Sequence, residues 1–178
     1  LTTRCDQPCQ HCGTRAGTAR PSEMSFAEVQ ETGRTLARLG TREVTIIGGE
    51  AYLRADVYDI VRFLHELGLR VTMQTGGRAL TEERIRRFKE AGLAAIGVSI
   101  DGNEASHDQL RGNKGSHAAA LAAVERANAA GMIVTANTQV NQLTKDILWE
   151  TSTMLRDRGV RAWQVQLTVP MGNAADHP

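Results

Sequence analysis

Cys5, Cys9 and Cys12 stand in the run Cys5-Asp-Gln-Pro-Cys9-Gln-His-Cys12, and the chain has no other cysteine. Three thiols on one short loop offer the deprotonated sulfur that binds metals and iron–sulfur groups. The odd number and tight spacing argue against a disulfide framework and for a reducing, cytoplasmic compartment. Two metals suit such a loop. Zinc would take His11 or a distant histidine as its fourth ligand. A cubane 4Fe–4S cluster would instead leave one iron open to a substrate or cofactor. Zinc knuckles usually pair two short Cys/His steps, and no second pair follows here, which favours the cluster.

Other polar residues recur at intervals that suit ligand binding. Gly48-Gly49-Glu50 joins two glycines, which let the backbone pass close to a bound molecule, to a carboxylate able to accept from an ammonium group. Gln74-Thr75-Gly76-Gly77 ends another apolar run. Ser99 and Asp101 are two apart on an extended segment and so point to one side; both can hydrogen-bond ribose hydroxyls.

These residues need elements to position them, and the pattern alternates strand and helix every 25 to 35 residues or so, the spacing of βα units. Leu1-Thr2-Thr3 reads as the tail of a first strand. Ser25 and Glu28 form a capping box opening a helix with Val29, Leu36 and Leu39 on one face, closed by Gly40. Strands follow at 43–47, 70–74, 95–100, 133–140 and 162–169. Helices are expected at 55–67, from Thr81 to Gly92, at 116–130 and at 146–158. Six strands with intervening helices give an α/β protein: a partial (β/α)6 TIM-like barrel of parallel strands, or an open sheet. Glu50, Gln74, Ser99, Asp101, Asn137 and Gln166 sit at strand C-terminal ends, the edge where β/α folds bind ligands. Strand six alternates Gln164, Gln166 and Thr168 with Trp163, Val165 and Leu167, and either set could face the interior. His65, His107, His117 and His177 show no partner pattern and read as solvated or packed.

Leu1 through Cys12, Gly48-Gly49-Glu50, Val98-Ser99-Ile100-Asp101-Gly102 and Leu110-Arg111-Gly112 together resemble the radical S-adenosylmethionine (SAM) superfamily, most of all its SPASM/twitch-type branch. The resemblance spans the chain. It implies that Cys5, Cys9 and Cys12 bind a 4Fe–4S cluster and that SAM chelates the open iron. Reductive cleavage then yields a 5′-deoxyadenosyl radical that abstracts hydrogen from a substrate, chemistry that the cofactor carries and the protein orients. It also implies that Gly48, Gly49 and Glu50 hold the SAM amino group, that Arg111 pairs with its carboxylate, and that Ser99 contacts SAM. Asp101, Asn137, Thr138 and Leu167 fall where relatives contact ribose and adenine, and His11 where a planar side chain flanks adenine. Thr75 stands where relatives show Thr-Asn-Gly, with Gly76 replacing the asparagine. Ala51 replaces the proline that relatives place after the glutamate, which affects how the next helix enters.

The implied substrate is a peptide or protein side chain, with a small metabolite or tetrapyrrole as the alternative. The electron donor would be a flavodoxin or ferredoxin. A zinc-stabilised binding module without catalysis is the reading from a different class. At 178 residues, with 21 Lys/Arg against 20 Asp/Glu, the chain suits one domain and makes no electrostatic case for nucleic acid or an anionic membrane. No apolar run approaches the roughly 18 residues of a membrane span, and no secretory signal opens the chain. Residues 1–169 read as the core domain, and 170–178, rich in Pro, Gly and Ala, as the start of a C-terminal extension.

Overall fold

The computed structural model describes residues 1–176, so His177 lies outside the described residues. Five parallel strands, β1 (Glu43–Ile46), β2 (Arg70–Thr75), β3 (Ala95–Ser99), β4 (Ile133–Val140) and β5 (Ala162–Leu167), pair in sequence order. They form a curled half-barrel covered by helices, the expected partial TIM-like fold. Met73 pairs with Ile96, and Ser99 with Asn137, which fixes the strand ends at one level. α1 (Phe26–Arg38) precedes β1, and α2 (Val57–Glu66) and α3 (Glu82–Glu90) make the next two crossovers. The β3–β4 crossover carries α4 (Glu104–Arg111) and α5 (Ser116–Ala129), and α6 (Leu148–Asp157) leads to β5.

Local chemistry explains these elements. The capping box forms in full: Ser25 Oγ accepts from the Glu28 N–H, and the Glu28 carboxylate accepts from the Ser25 N–H. Thr81 caps α3 in the same way through the Arg84 N–H. Val71, Met73, Ile96 and Val98 share one face of the sheet and are fully buried on it against the helices. Ile60, Val61, Ile85 and Phe88 of α2 and α3 join them in one core. Each such side chain contributes roughly 1.5–3 kcal/mol on burial. Ala120, Ala123 and Ala127 complete that core from α5, small enough to let this helix lie close to β3 and β4.

Several expectations are corrected. Leu1–Thr3 is not a strand of the sheet. The segment instead runs beside the end of β1, through hydrogen bonds from the Leu1 amino group to the Ile47 carbonyl (2.8 Å), from the Gly49 N–H to the Thr2 carbonyl (2.7 Å) and from the Glu50 N–H to the Arg4 carbonyl (2.8 Å). Arg4 forms only an isolated bridge, with Gly17. Leu39 is 77 % exposed, because α1 ends before its side chain can turn inward. Residues Ala51–Leu53 form a separate 3-10 turn, which delays α2 to Val57. Lys145–Ile147 does the same ahead of α6. Among the described residues no helix is long and apolar enough to cross a membrane.

Candidate functional site

The cysteine loop lies across the C-terminal ends of β1 to β3, and main-chain contacts of the segment that enters it join it to the end of β1. A Cβ at position 48 would sit 2.3 Å from the Thr2 carbonyl oxygen, and one at position 49 would sit 2.3 Å from that of Arg4. The two glycines are therefore required first by the close approach of residues 2–4, the segment that enters the loop. The end of α4 holds the other side, where the Gln10 N–H donates to the Leu110 carbonyl at 2.8 Å.

Between loop and strands lies a cavity of ≈ 170 Å³, onto which Cys5, Cys9, Cys12, His11, Gly48, Gly49, Glu50, Thr75, Ser99 and Arg111 all open. Most of the residues expected to share a site are thus brought together. The thiols differ in setting. Burial pushes the Cys5 thiol up to about 11. Burial also raises Cys9, although Arg111, whose Nη1 lies 3.9 Å from its sulfur, partly offsets this. At Cys12 burial is outweighed by contacts from the Thr14 hydroxyl (3.5 Å) and the Ala16 N–H (3.4 Å), which lower it. Among the described residues no three His, Cys, Asp or Glu side chains are grouped to hold a single metal ion.

Glu50 is 3 % exposed, at the base of the cavity. One carboxylate oxygen accepts from the Thr75 hydroxyl and the other from the Gly76 N–H, both at 2.6 Å. Burial exceeds these neutral donors and pushes the carboxyl up to about 7. Thr75 also accepts from the Gly77 N–H at 3.0 Å, so its hydroxyl is orientated toward Glu50.

Asp101 lies behind the cavity and is fully buried. Its Oδ2 accepts from Arg111 Nε (2.9 Å) and Nη2 (2.6 Å) and lies 3.3 Å from His11 Nε2. Its Oδ1 accepts from the Gln139 N–H at 2.9 Å. Burial alone would raise this carboxyl, but the Arg111 charge and the His11 contact hold it well below the usual carboxylate range. Both oxygens of Asp101 are thus engaged by the protein itself, and Arg111 enters the cavity already tethered. His107 backs this arrangement by accepting from the Asp101 N–H at 3.0 Å. Burial pulls its imidazole down to about 3, so the accepting nitrogen stays unprotonated. His117 packs against His107 edge to face, with ring centroids 5.4 Å apart.

The remaining expected residues lie apart from this cavity. Thr138 is fully buried; its hydroxyl donates to the Ile100 carbonyl (2.5 Å) and accepts from the Trp163 indole (2.8 Å). Asn137 keeps a buried Oδ1 without a partner. Leu167, 76 % exposed, lines a wider cleft of ≈ 840 Å³ on the far side of His11, with Val140, Asn141 and Lys145. On β5 the Gln164 and Gln166 side chains pair with each other at 3.3 Å, while Trp163 packs on the core.

One cavity residue escapes a sequence reading: Gln7 is buried with Nε2 unpartnered. Gln74, expected at this strand edge, keeps a buried Oε1 unpartnered, and both open onto the cavity. Lying between two cysteines was the only hint of Gln7. The donor set fits a thiolate-bound cluster with a polar ligand beside it. Three thiols, a carboxylate satisfied only by neutral donors, an arginine and two orphaned amide atoms face one space.

Comparisons with known proteins point the same way. The sequence model of the Radical SAM superfamily matches residues 1–161. The AdoMet-dependent heme synthase of Oleidesulfovibrio alaskensis is 30% identical over 98% of this chain and 46% of its own length. The PqqA peptide cyclase of Rhodopseudomonas palustris is 35% identical over 68% of the chain and 33% of its length. The chain thus spans about half or less of these curated relatives. The crystal structure of Streptococcus suis SuiB bound to S-adenosylmethionine superposes with a TM-score of 0.81 at 15% identity, covering 94% of this chain and 39% of that one, a likeness of fold.

Proposed function

The chain belongs to the radical SAM superfamily, enzymes that pair a 4Fe–4S cluster with S-adenosylmethionine, and on that premise we propose how its own residues divide the work. Cys5, Cys9 and Cys12 hold the cluster as thiolates. With a cluster and SAM bound and one electron supplied by an external reductant, the site would support cleavage of the SAM C–S bond to methionine and a 5′-deoxyadenosyl radical that takes hydrogen from substrate. Glu50 accepts the SAM ammonium group. Its buried carboxylate has no cationic partner of its own, and this observation carries the assignment. Thr75 and the Gly76 N–H orient that carboxylate, and the Arg111 guanidinium, fixed by Asp101, faces the SAM carboxylate. Ser99, beside them on the cavity wall, offers a hydroxyl to the ribose. His11 and Leu167, on the cleft side, flank the adenine.

The substrate this reading favours is a tetrapyrrole, because the heme synthase relative keeps 30% identity over nearly the whole chain. A peptide substrate, the first expectation from the family resemblance, is the second reading, supported by the peptide cyclase relative.

Anaerobic reconstitution with iron and sulfide, followed by dithionite and SAM, is expected to give a 4Fe–4S chromophore and 5′-deoxyadenosine. Cys9→Ala is expected to abolish both. Stoichiometric zinc with no 5′-deoxyadenosine would sink the proposal. Stimulation of 5′-deoxyadenosine formation by a tetrapyrrole or by a peptide separates the two substrate readings.

A further inference from the structure

We infer that Asn173, about 160 residues downstream of the cysteine loop, is a positioning residue for that loop; the inference rests on the proposal that the loop holds the cluster. After β5 the chain turns back, and Gly172–Ala175 forms a 3-10 turn seated on the loop. Asn173 contacts the loop three times. Its Nδ2 donates to the Cys9 carbonyl at 2.9 Å, and its backbone N–H donates to the Cys12 carbonyl at 2.9 Å. Its Oδ1 accepts from Arg15 Nη1 at 3.3 Å.

Within the loop, the Cys9 carbonyl accepts only from the Cys12 N–H, and the Cys12 carbonyl only from the Arg15 N–H, each at 3.3 Å. Such long local bonds restrain a loop weakly. Asn173 adds a shorter bond to each carbonyl. Holding two peptide planes narrows the backbone torsions of Cys9 and Cys12 and so the Cα–Cβ directions from which their sulfurs extend. The neighbouring residues are shaped for this docking. Gly172 has φ +61°, and a Cβ there would lie 2.4 Å from the carbonyl oxygens of both Cys12 and Gly13. Arg15, in the left-handed region at φ 50°, pairs with Asp176 and closes the same turn.

The loop's stability and the overall fold are separable, since Asn173 lies outside the apolar core. Asn173→Ala removes the side-chain donor, and Asn173→Asp keeps its shape but faces a carboxylate with the Cys9 carbonyl. Gly172→Ala lifts the turn from the loop by steric contact. All three variants are expected to melt cooperatively within a few degrees of wild type. In the apo chain, hydrogen exchange at the amides of residues 12 and 15–17 is expected to quicken at least about fivefold. After reconstitution with iron and sulfide, iron loss to a chelator should quicken by a similar factor, with Asp at least as severe as Ala. Wild-type exchange and iron retention in Asn173→Ala and Asn173→Asp would overturn the inference. So would loss of the cooperative transition, which would make Asn173 a residue of the fold rather than of the loop. If the wild-type chain takes up no cluster, the functional proposal fails, and the exchange rates still decide the role of Asn173.

Discussion

Glu50 at the end of β1 and Asp101 just past β3 are both carboxylates with almost no exposure, yet their environments drive them in opposite directions. Asp101 has a guanidinium on one oxygen and a backbone N–H on the other, and it stays ionised. Glu50 has a hydroxyl and an N–H, no cation, and a carboxyl pushed up to about 7. A buried charge that is paired is part of a framework. One left without a counterion destabilises the chain until something positive arrives. The contrast separates scaffold from binding group at two strand ends about 50 residues apart in sequence.

The largest effect is expected at the scaffold. Asp101→Ala leaves Arg111 buried beside Cys9 without a counterion and should lower stability by about 3–5 kcal/mol in denaturant unfolding. Replacing Asp101 and Arg111 together by apolar residues should recover much of that loss. Additive losses would contradict the pairing.

Glu50→Gln should act with the opposite sign. A carboxyl whose pKa is raised in the folded state takes up protons on folding, so stability falls as pH rises from about 4.3 through about 7. The apo variant is therefore expected to match wild type near pH 4 and to exceed it at pH 8, by up to about 3 kcal/mol. Affinity for SAM should drop at least about tenfold. A variant less stable than wild type at pH 8 would mean that Glu50 is already paired in the apo protein.

Thr75→Val keeps the shape and removes the hydroxyl between Glu50 and the Gly77 N–H. A loss of about 1–2 kcal/mol is expected, and the pH midpoint of SAM binding should move upward as Glu50 loses a donor. An unmoved midpoint would show that Thr75 does not set the carboxylate. Arg86→Ala, at the exposed pairs with Glu83 and Glu90, marks the lower bound. Its effect should stay within about 0.5 kcal/mol and vanish in high salt.

Much of this was legible in the residues. Capping at Ser25 and Thr81, the apolar strand runs and the Gly stops are local, and local chemistry places them within a few residues. The cysteine triplet, Gly48-Gly49-Glu50, Ser99 and Arg111 were each visible as candidates, and they do share one cavity. What sequence could not order was their roles. Ser99 and Asp101 looked equivalent by spacing, but Ser99 lines the cavity, whereas Asp101 is turned into the protein by Arg111, His11 and the Gln139 N–H. The glycines at 48 and 49 suggested room for a ligand, and the nearest claim on that room is the backbone of residues 2–4. Thr138 looked free to reach a ribose, but the Trp163 indole and the Ile100 carbonyl occupy its hydroxyl.

The sequence by itself determined the class of fold and, through its resemblance to a known family, the kind of chemistry. Thiol spacing, turn residues and apolar periodicity act over a few residues and need no distant partner. Tertiary structure alone decided which polar groups are spent on the protein and which are left for a ligand. That division depends on burial and on partners tens to more than a hundred residues away. Arg111 on Asp101, Thr75 under Glu50 and Asn173 on the Cys9 carbonyl are contacts that exist only once the strand ends meet.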